Sequence, residues 1–342
     1  MKVLDHIYQK AREARIPLSV HFDLTYRCPQ RCIHCYLPEA WRRGNGPGPE
    51  LETDQVCRIL DQLAAAGTFF LTFSGGEVFL RTDLFYLLEY ARRRNFSISL
   101  MTTGTIGPDQ EQIRVLADLG IGGLLVSLHS LEARLHDFIT GTPGSWGRAQ
   151  GTIQAARAQN LQVVLNAIML RTNFRGARAL KDYAAREDLI LRMDDNITPR
   201  WDGRPHPEGL ALTPEERRQL YQDIGVPEIS KEPTTVPLDT RAGGCQAGTA
   251  LGYITPQAEL MPCLEVTWRL GRLSGETDFL RLWQESPTLL WLRSILSKDR
   301  EVPEPFCEYL RKNRIRPPQG IFSNLGGTYH ENDRGQGKAD DA

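Results

Sequence analysis

Six short apolar runs, separated by longer amphipathic segments, occupy the chain between Leu18 and Met193. Each run and its segment together take about 30 residues, which is the length of a βα unit. Repeated βα units build a parallel sheet with helices packed outside it. Six units are too few for a closed eight-stranded barrel. We therefore expect an α/β protein with an open, partial (β/α)6 TIM-like barrel.

The apolar runs predict the strands, and the amphipathic segments predict the helices between them. The strands are expected at Leu18–Leu24, Phe69–Phe73, Phe96–Met101, Gly123–Leu128, Leu161–Leu170 and Leu189–Met193. Helices are expected at Asp54–Ala66, Leu84–Arg94, Asp109–Leu119, in a broken segment from Leu131 to Gln159, and at Ala177–Arg186. Thr53 and Gly67 flank the first of these helices and are typical capping residues.

The composition changes after Met193. Residues 199–237 contain seven prolines, which favour an irregular connector with a short helix that starts at Thr213. A hairpin and then a Leu- and Trp-rich helix over Phe279–Ser297 are expected beyond it. We divide the chain into a lead-in helix, a barrel, a connector, a small C-terminal domain and a disordered tail, at 1–17, 18–198, 199–242, 243–325 and 326–342.

Charge and hydropathy exclude several classes of protein. A formal net charge of -1 gives no basic footprint for a nucleic-acid partner. No stretch approaches ~18 uninterrupted apolar residues, so we expect no membrane span. The first residues lack the basic and apolar regions of a signal peptide. We therefore expect a cytoplasmic protein, in which the seven cysteines do not form a disulfide framework.

The cysteines fall into two groups of three and a single residue. The first group, Cys28, Cys32 and Cys35, directly follows the first predicted strand, where the active sites of barrels lie. Three thiolates at this spacing can each bind one iron of a cubane and leave the fourth iron without a protein ligand. A zinc site with His34 as the fourth ligand, or three reduced core thiols, are the alternatives. Cys57 lies alone inside a predicted helix and is interpreted as a packing residue.

The first cysteine group, followed by the aromatic Tyr36, resembles the cluster loop of the radical S-adenosylmethionine (SAM) enzymes. In that family the open iron of a [4Fe-4S] cluster chelates SAM. The motif Gly75-Gly76-Glu77, at the end of the second predicted strand, resembles the family's GGE motif. The resemblance implies that this motif holds the SAM amino group, with glycines that allow close backbone approach and a carboxylate that accepts from an ammonium.

Polar residues at the ends of the later strands suit a nucleoside ligand. By the same resemblance, the strand-four serine lies near the SAM ribose. From their position at the strand ends, polar residues in and after strand five are expected to face the SAM carboxylate or the substrate. A role in packing is the alternative for the strand-four histidine and the strand-five residues. The residues predicted in this way are Thr103, Ser127, His129, Asn166 and Arg171, with Asp194 and Asp195 facing the substrate after strand six.

The second cysteine group resembles the SPASM and twitch extensions of radical SAM enzymes. Cys245 precedes the predicted hairpin and Cys263 closes it, with Ala258 where those extensions carry glycine. Those extensions also carry a later run of four cysteines. In this chain only Cys307 remains of that run, and Glu304, Asn313 and Pro317 occupy the other three positions. The resemblance implies one auxiliary [4Fe-4S] cluster, with Glu304, water or substrate as the fourth ligand. An extension that kept the fold and lost the cluster is the alternative.

The resemblance also implies the chemistry. A one-electron donor such as flavodoxin or ferredoxin reduces the first cluster, and SAM is cleaved to a 5′-deoxyadenosyl radical that abstracts a hydrogen atom. The segment Met193–Gly203 is similar to the strand-six exit of peptide maturases such as the pyrroloquinoline-quinone precursor cyclase group. By analogy with these folds, a ribosomally made peptide is the expected substrate. Only 17 residues precede the first strand, so a separate leader-peptide carrier protein is expected.

Two other functions are retained as alternatives. Tetrapyrrole side-chain modification in haem biosynthesis uses radical SAM enzymes of the same architecture. A non-catalytic iron–sulfur sensor or scaffold belongs to a different class. The intact Gly75-Gly76-Glu77 motif argues against a sensor, because a sensor has no need of SAM.

Overall fold

The structure is a computed structural model that describes residues 3–207, 209–225, 245–273, 278–298, 307 and 317. The predicted parallel sheet is present, with the six strands of the βα units in sequential order. Each strand pairs in parallel with the next. The strands are β1 Ser19–Thr25, β2 Phe70–Gly75, β3 Ser97–Thr102, β4 Gly123–Ser127, β5 Val163–Ile168 and β6 Ile190–Asp194. Because β6 is an edge of this sheet, the expected open, partial barrel is confirmed.

Helices of the βα units pack outside the sheet. The first six helices of the chain are α1 Val3–Ala14, α2 Glu39–Arg42, α3 Thr53–Ala65, α4 Leu84–Arg92, α5 Gln110–Asp118 and α6 Ala133–Thr140. They are followed by α7 Ser145–Ala158, α8 Ala177–Arg186, α9 Pro214–Asp223, α10 Phe279–Glu285 and α11 Pro287–Lys298. Those that pack outside the sheet include α3, α4, α5, α7 and α8. In the described part of the chain, no helix combines the length and apolar character needed to cross a membrane.

Two local predictions were wrong. The N-cap of α3 is Glu52, whose N–H donates to Gln55 Oε1 at 2.8 Å, and Thr53 instead donates its hydroxyl to Asp83 Oδ2 at 2.7 Å. The single helix expected over Phe279–Ser297 is two helices, α10 and α11. The break falls at Ser286, which has extended ψ because the following residue is Pro287 and disfavours the helical conformation before it.

The predicted hairpin after Cys245 adds three strands to the barrel sheet. These are β7 Leu251–Ile254, β8 Glu259–Met261 and β9 Gly271–Arg272, and β7 pairs in parallel with β1. Ala258, in the β7–β8 turn, has a φ of +64°, a backbone conformation that favours glycine. The hairpin therefore continues the barrel sheet, and the domain bounds at 198, 242 and 325 stay predictions. The tail 326–342 lies outside the described residues.

The two faces of the sheet differ in polarity. Alternate residues such as Phe22, Phe73 and Leu100 are fully buried in the core that the sheet shares with the helices. The opposite face, which we call the inner face, is largely polar, and most of its residues are only partly buried. Its members include His21, Asp23, Thr72, Ser74, Ser99, Ser127, Asn166 and Asp194. The inner face is therefore a polar surface that solvent partly reaches, bounded by the loops at the strand ends.

Candidate active site

The first cysteine loop, residues 28–35, is anchored to α2 and α6. The N–H of Cys28 donates to the carbonyl of Arg42 in α2 at 3.0 Å. The N–H of Ile33 donates to the carbonyl of Ile139 in α6, also at 3.0 Å. Backbone hydrogen bonds at both ends therefore hold the loop at the carboxyl end of β1.

The thiols of Cys28, Cys32 and Cys35 are close enough to influence one another. Burial raises the pKa of Cys28 to about 12 and raises the pKa of the other two thiols as well. The charge of Cys35 adds to the rise in the pKa of Cys28, and both of these residues act on Cys32. Arg42 opposes the rise at all three thiols. Three partly buried thiols gathered in one loop ionise more readily with a cationic partner.

This donor set fits an iron–sulfur cluster better than zinc. In the described ranges, no three His, Cys, Asp or Glu side chains are placed to hold a single metal ion. His34, the zinc alternative's fourth ligand, packs its ring edge-on against His129 with 5.0 Å between ring centroids. Burial lowers the pKa of His34 to about 4. Three thiols without a convergent fourth ligand are the donors expected of a cubane that takes one thiolate on each of three irons.

The two glycines at the end of β2, Gly75 and Gly76, pack against the backbone that leads into the cysteine loop. A Cβ added to Gly75, where φ is +139°, would lie 2.0 Å from the carbonyl oxygen of Thr25. A Cβ added to Gly76 would lie 2.3 Å from the carbonyl oxygen of Arg27. We expected these glycines to allow the backbone to approach a ligand. In the structure they allow it to approach the backbone that leads into the cysteine loop.

Glu77 connects the ends of β2 and β3. Its side chain is fully buried and accepts hydrogen bonds from the Thr102 hydroxyl at 2.8 Å, from the Thr103 N–H at 3.0 Å and from the Phe79 N–H at 3.2 Å. The Thr103 hydroxyl also donates to it. The predicted binding of Glu77 to an ammonium is untested, and its present partners are these neighbouring donors.

Burial raises the pKa of Glu77, despite the hydrogen bonds that lower it. A raised pKa in the folded state favours folding at low pH, and this contribution disappears as pH rises from the usual range of a glutamate, about 4.3, through the raised value. We expect Glu77→Gln to remove this part of the pH dependence of the free energy of unfolding. Urea unfolding of the metal-free protein at a series of pH values measures it, with the exposed Glu89→Gln as the control. Identical pH profiles for wild type and Glu77→Gln would contradict the prediction.

Three of the other predicted residues lie at adjacent strand ends. Ser127 of β4 and Asn166 of β5 are cross-strand neighbours on the inner face. His129 is buried, and its Nδ1 accepts from the N–H of Ile168 at 3.3 Å. Burial lowers the pKa of His129 well below its usual value, so its ring is neutral near pH 7. The ring also stacks on His136 of α6, a neighbour that the sequence patterns did not single out.

Arg171 and Asp195 instead bind α9, which lies in the predicted connector. Arg171 forms an ion pair with Glu216 at 2.9 Å, and Arg217 forms one with Asp195 at 2.6 Å. The predicted roles of Arg171 and Asp195 toward SAM or substrate therefore have no support in their placement. Asp194 stays at the inner face, and burial raises its pKa.

Asp23 is a site residue that the sequence patterns did not reveal. It is fully buried on β1 and accepts from the Tyr36 hydroxyl at 3.1 Å and from the Tyr253 hydroxyl of β7. His21 Nε2 lies 3.0 Å from its other oxygen. Asp23 thus connects the residue after the cysteine loop to the C-terminal hairpin. The sequence signal was an acidic residue placed between the apolar Phe22 and Leu24 of a predicted strand.

The second cysteine group is also gathered in space. Cys245, Cys263 and Cys307 are partly buried against the main core. Burial raises the pKa of Cys263, and the charges of Cys245, Glu265 and Cys307 raise it further. The predicted ligand position Glu304 lies outside the described residues, as does Asn313, whereas Pro317 is described and buried. Among the described residues, Glu265, which accepts from the Thr198 hydroxyl, is a carboxylate whose charge acts on Cys263.

Sequence comparisons connect the barrel with known proteins. The family model of the Radical SAM superfamily matches residues 22–179. A PqqA peptide cyclase from Rhodopseudomonas palustris is 34% identical over 158 residues, which are 46% of this chain and 41% of that protein. An AdoMet-dependent heme synthase from Methanosarcina barkeri is 25% identical over 317 residues, which are 86% of this chain and 89% of that protein. The match to the cyclase thus spans less than half of either protein.

The fold resembles that of solved structures at low sequence identity. The crystal structure of Streptococcus suis SuiB bound to the precursor peptide SuiA aligns with a TM-score of 0.66 and 16% identity. The alignment covers 84% of this chain and 70% of the SuiB chain. At this identity the similarity establishes a common fold, which extends beyond the barrel itself.

Proposed function

Because the family model of the Radical SAM superfamily matches residues 22–179, we propose that the chain cleaves SAM reductively and abstracts a hydrogen atom from its substrate. The observation that carries the proposal is the gathering of the Cys28, Cys32 and Cys35 thiols in the loop after β1. When bound, a [4Fe-4S] cluster supplies the electron that breaks the C5′–S bond and yields methionine and the 5′-deoxyadenosyl radical.

In this proposal the chain's own residues bind and orient the reactants. The three thiolates hold the cluster, and Glu77 with its threonine donors keeps the end of β2 in place beside them. Tyr36, Gly75 and Gly76 border the cysteine loop and are the proposed contacts to SAM. The remaining proposed contacts to SAM, at the strand ends, are Thr103, Ser127, His129 and Asn166.

We propose a ribosomally made peptide as the substrate. The similarity to a PqqA peptide cyclase and the fold shared with the peptide-bound SuiB support this choice. The inner face also supports it, because hydroxyl, amide and carboxylate groups such as those of Ser99, Asn166 and Asp194 can hydrogen-bond a peptide backbone. Flavodoxin or ferredoxin as the electron donor, and a separate leader-peptide carrier, belong to the proposal as partners.

Tetrapyrrole modification is the second candidate. The relative named a heme synthase aligns over 86% of this chain, a much longer match than that of the peptide cyclase. The polar inner face argues against a large, mostly apolar macrocycle, because unpaired polar groups in contact with it would lose hydrogen bonds to water.

An auxiliary [4Fe-4S] cluster held by Cys245, Cys263 and Cys307 completes the proposal. Its support is that the charges of Cys245 and Cys307 raise the pKa of Cys263, so the three residues are close enough to interact. Glu265 joins Glu304, water and substrate as a candidate for the fourth ligand. A cluster near the barrel could accept the electron left on an oxidised product.

The test is anaerobic incubation of the iron-reconstituted wild-type chain with SAM and dithionite. We expect formation of 5′-deoxyadenosine, and its absence would overturn the proposal. The substrate is then identified with deuterated candidates, a precursor peptide encoded beside the gene and a porphyrin with labelled side chains. Deuterium that appears in 5′-deoxyadenosine from the peptide supports the first candidate, whereas deuterium from the porphyrin supports the second.

A further inference from the structure

Arg42 contacts the first cysteine loop through both its backbone and its side chain. It is the last residue of α2, and its carbonyl accepts from the N–H of Cys28 at 3.0 Å. Its guanidinium Nη1 donates to the carbonyl of Gln30, inside the loop, at 2.9 Å. The guanidinium therefore lies against the backbone that presents the three thiols.

Within the described part of the chain, no carboxylate neutralises this guanidinium. Arg42 takes part in no ion pair with any of these residues, and its buried Nε has no hydrogen-bond partner among them. The neighbouring Arg43 is paired with Glu39, and Arg200, which also acts on Cys35, is paired with Asp202 at 2.8 Å. A partly buried cation with an unsatisfied N–H donor destabilises the folded chain unless an anionic group lies beside it.

The guanidinium of Arg42 lies beside the middle of the cysteine loop. Its acceptor Gln30 stands midway between Cys28 and Cys32, and Gln30 Oε1 accepts a hydrogen bond from the Cys32 thiol at 3.2 Å. The anionic group that would satisfy this charge is thus one held by the thiolates of the loop. A thiolate-bound iron–sulfur cluster has that charge and that position.

We propose that Arg42 is the electrostatic partner of the cluster held by Cys28, Cys32 and Cys35, and that its charge makes this cluster easier to reduce. The one-electron reduction adds a negative charge beside the guanidinium, and a nearby positive charge stabilises the reduced form. The proposal rests on the proposed function only in requiring that the cluster binds. It assigns to Arg42 a positioning and tuning role, with no contact to the reacting atoms.

The test is a redox titration followed by electron paramagnetic resonance, with dithionite as the reductant and without substrate. The signal of the first cluster is identified by its change on addition of SAM. At a fixed potential we expect Arg42→Gln to lower the ratio of reduced to oxidised cluster about tenfold, a shift of about 59 mV for one electron. Arg43→Gln, at the residue that directly follows α2 and is paired with Glu39 outside the loop, is the matched control and should leave the ratio unchanged.

Equal midpoint potentials for Arg42→Gln and Arg43→Gln would overturn the proposal. If Arg42→Gln binds no iron, Arg42→Lys decides. A lysine variant that binds iron with nearly the wild-type potential supports the role of the charge. A lysine variant without iron would show that Arg42 only holds the loop through Gln30, which contradicts the proposal.

The outcomes also separate this proposal from the proposed function. A wild-type chain that binds iron and shows the Arg42 shift, but forms no 5′-deoxyadenosine, would overturn the function alone. A wild-type chain that cleaves SAM with no Arg42 shift would overturn only the role of Arg42. A wild-type chain that binds no iron would overturn both.

Discussion

We expect replacement of Cys28 by alanine to abolish the formation of 5′-deoxyadenosine and to remove about four irons per chain. In the proposed function three thiolates hold the cubane, two cannot hold it, and without the cluster no electron would reach SAM. We therefore expect a complete loss of 5′-deoxyadenosine formation, whereas removal of a single hydrogen bond would reduce it only in part. Iron analysis and chromatography of the reaction products measure it.

Two further cysteine variants make this experiment specific. Cys263→Ala should remove about four irons while the iron of the first cluster remains, if the auxiliary cluster is present. Cys57→Ala is the control, because Cys57 lies in the core on α3, away from both groups. It should retain all of the iron and cost about 1 kcal/mol of stability through the small cavity it leaves.

Several results would contradict the assignment of the two cysteine groups. A Cys28→Ala protein that still forms 5′-deoxyadenosine would refute the role of the loop. Loss of iron from Cys57→Ala would show that the assay reports instability of the fold. Iron in the wild type at about four per chain, unchanged in Cys263→Ala, would exclude the auxiliary cluster.

Gly76→Ala should destabilise the fold by about 3 kcal/mol or more, a large share of a typical stability of about 5–15 kcal/mol. The new Cβ would meet the carbonyl oxygens of Arg27 at 2.3 Å and Tyr26 at 2.5 Å. Both contacts are to backbone, which cannot rotate away as a side chain does. The strands that hold the cysteine loop and the glycine turn would have to separate.

Thermal unfolding measures this effect against a matched control. A Cβ added to Gly151, inside α7, would meet no neighbouring atom within 4 Å, so Gly151→Ala should stabilise the helix by about 0.5–1 kcal/mol. For Gly76→Ala we expect a Tm lower by roughly 6 °C or more. A Gly76→Ala protein that melts at or above the wild-type temperature would show that the glycine turn is not packed as described.

Local patterns in the sequence were sufficient to predict most of the barrel. The six strands lie within about two residues of their predicted bounds at nearly every end, because alternating burial and helix periodicity are properties of short segments. The spacing of Cys28, Cys32 and Cys35 and the position of Gly75-Gly76-Glu77 likewise required no tertiary information. The last predicted helix was wrong because Pro287 interrupts it. The structure has two helices there, α10 and α11.

Contacts between distant segments were not predictable in this way. Arg171 follows β5 as expected, but its ion pair is with Glu216 on α9, 45 residues later. The partial barrel leaves the β1 edge open for β7, and no periodicity in the chain indicates that the hairpin would pair there. The role of such residues depends on which segments the fold brings together.

The sequence by itself determined the βα order of the barrel, the cysteine loop after β1 and the glycine turn after β2, because each depends on neighbouring residues. Only the tertiary structure decided what surrounds them. Asp23 meets Tyr253 across 230 residues, and the charge of Arg42 acts on the thiols of the cysteine loop. Such contacts form when strand ends and loops converge at one edge of a sheet, and the charge and burial they create are properties of the folded chain alone.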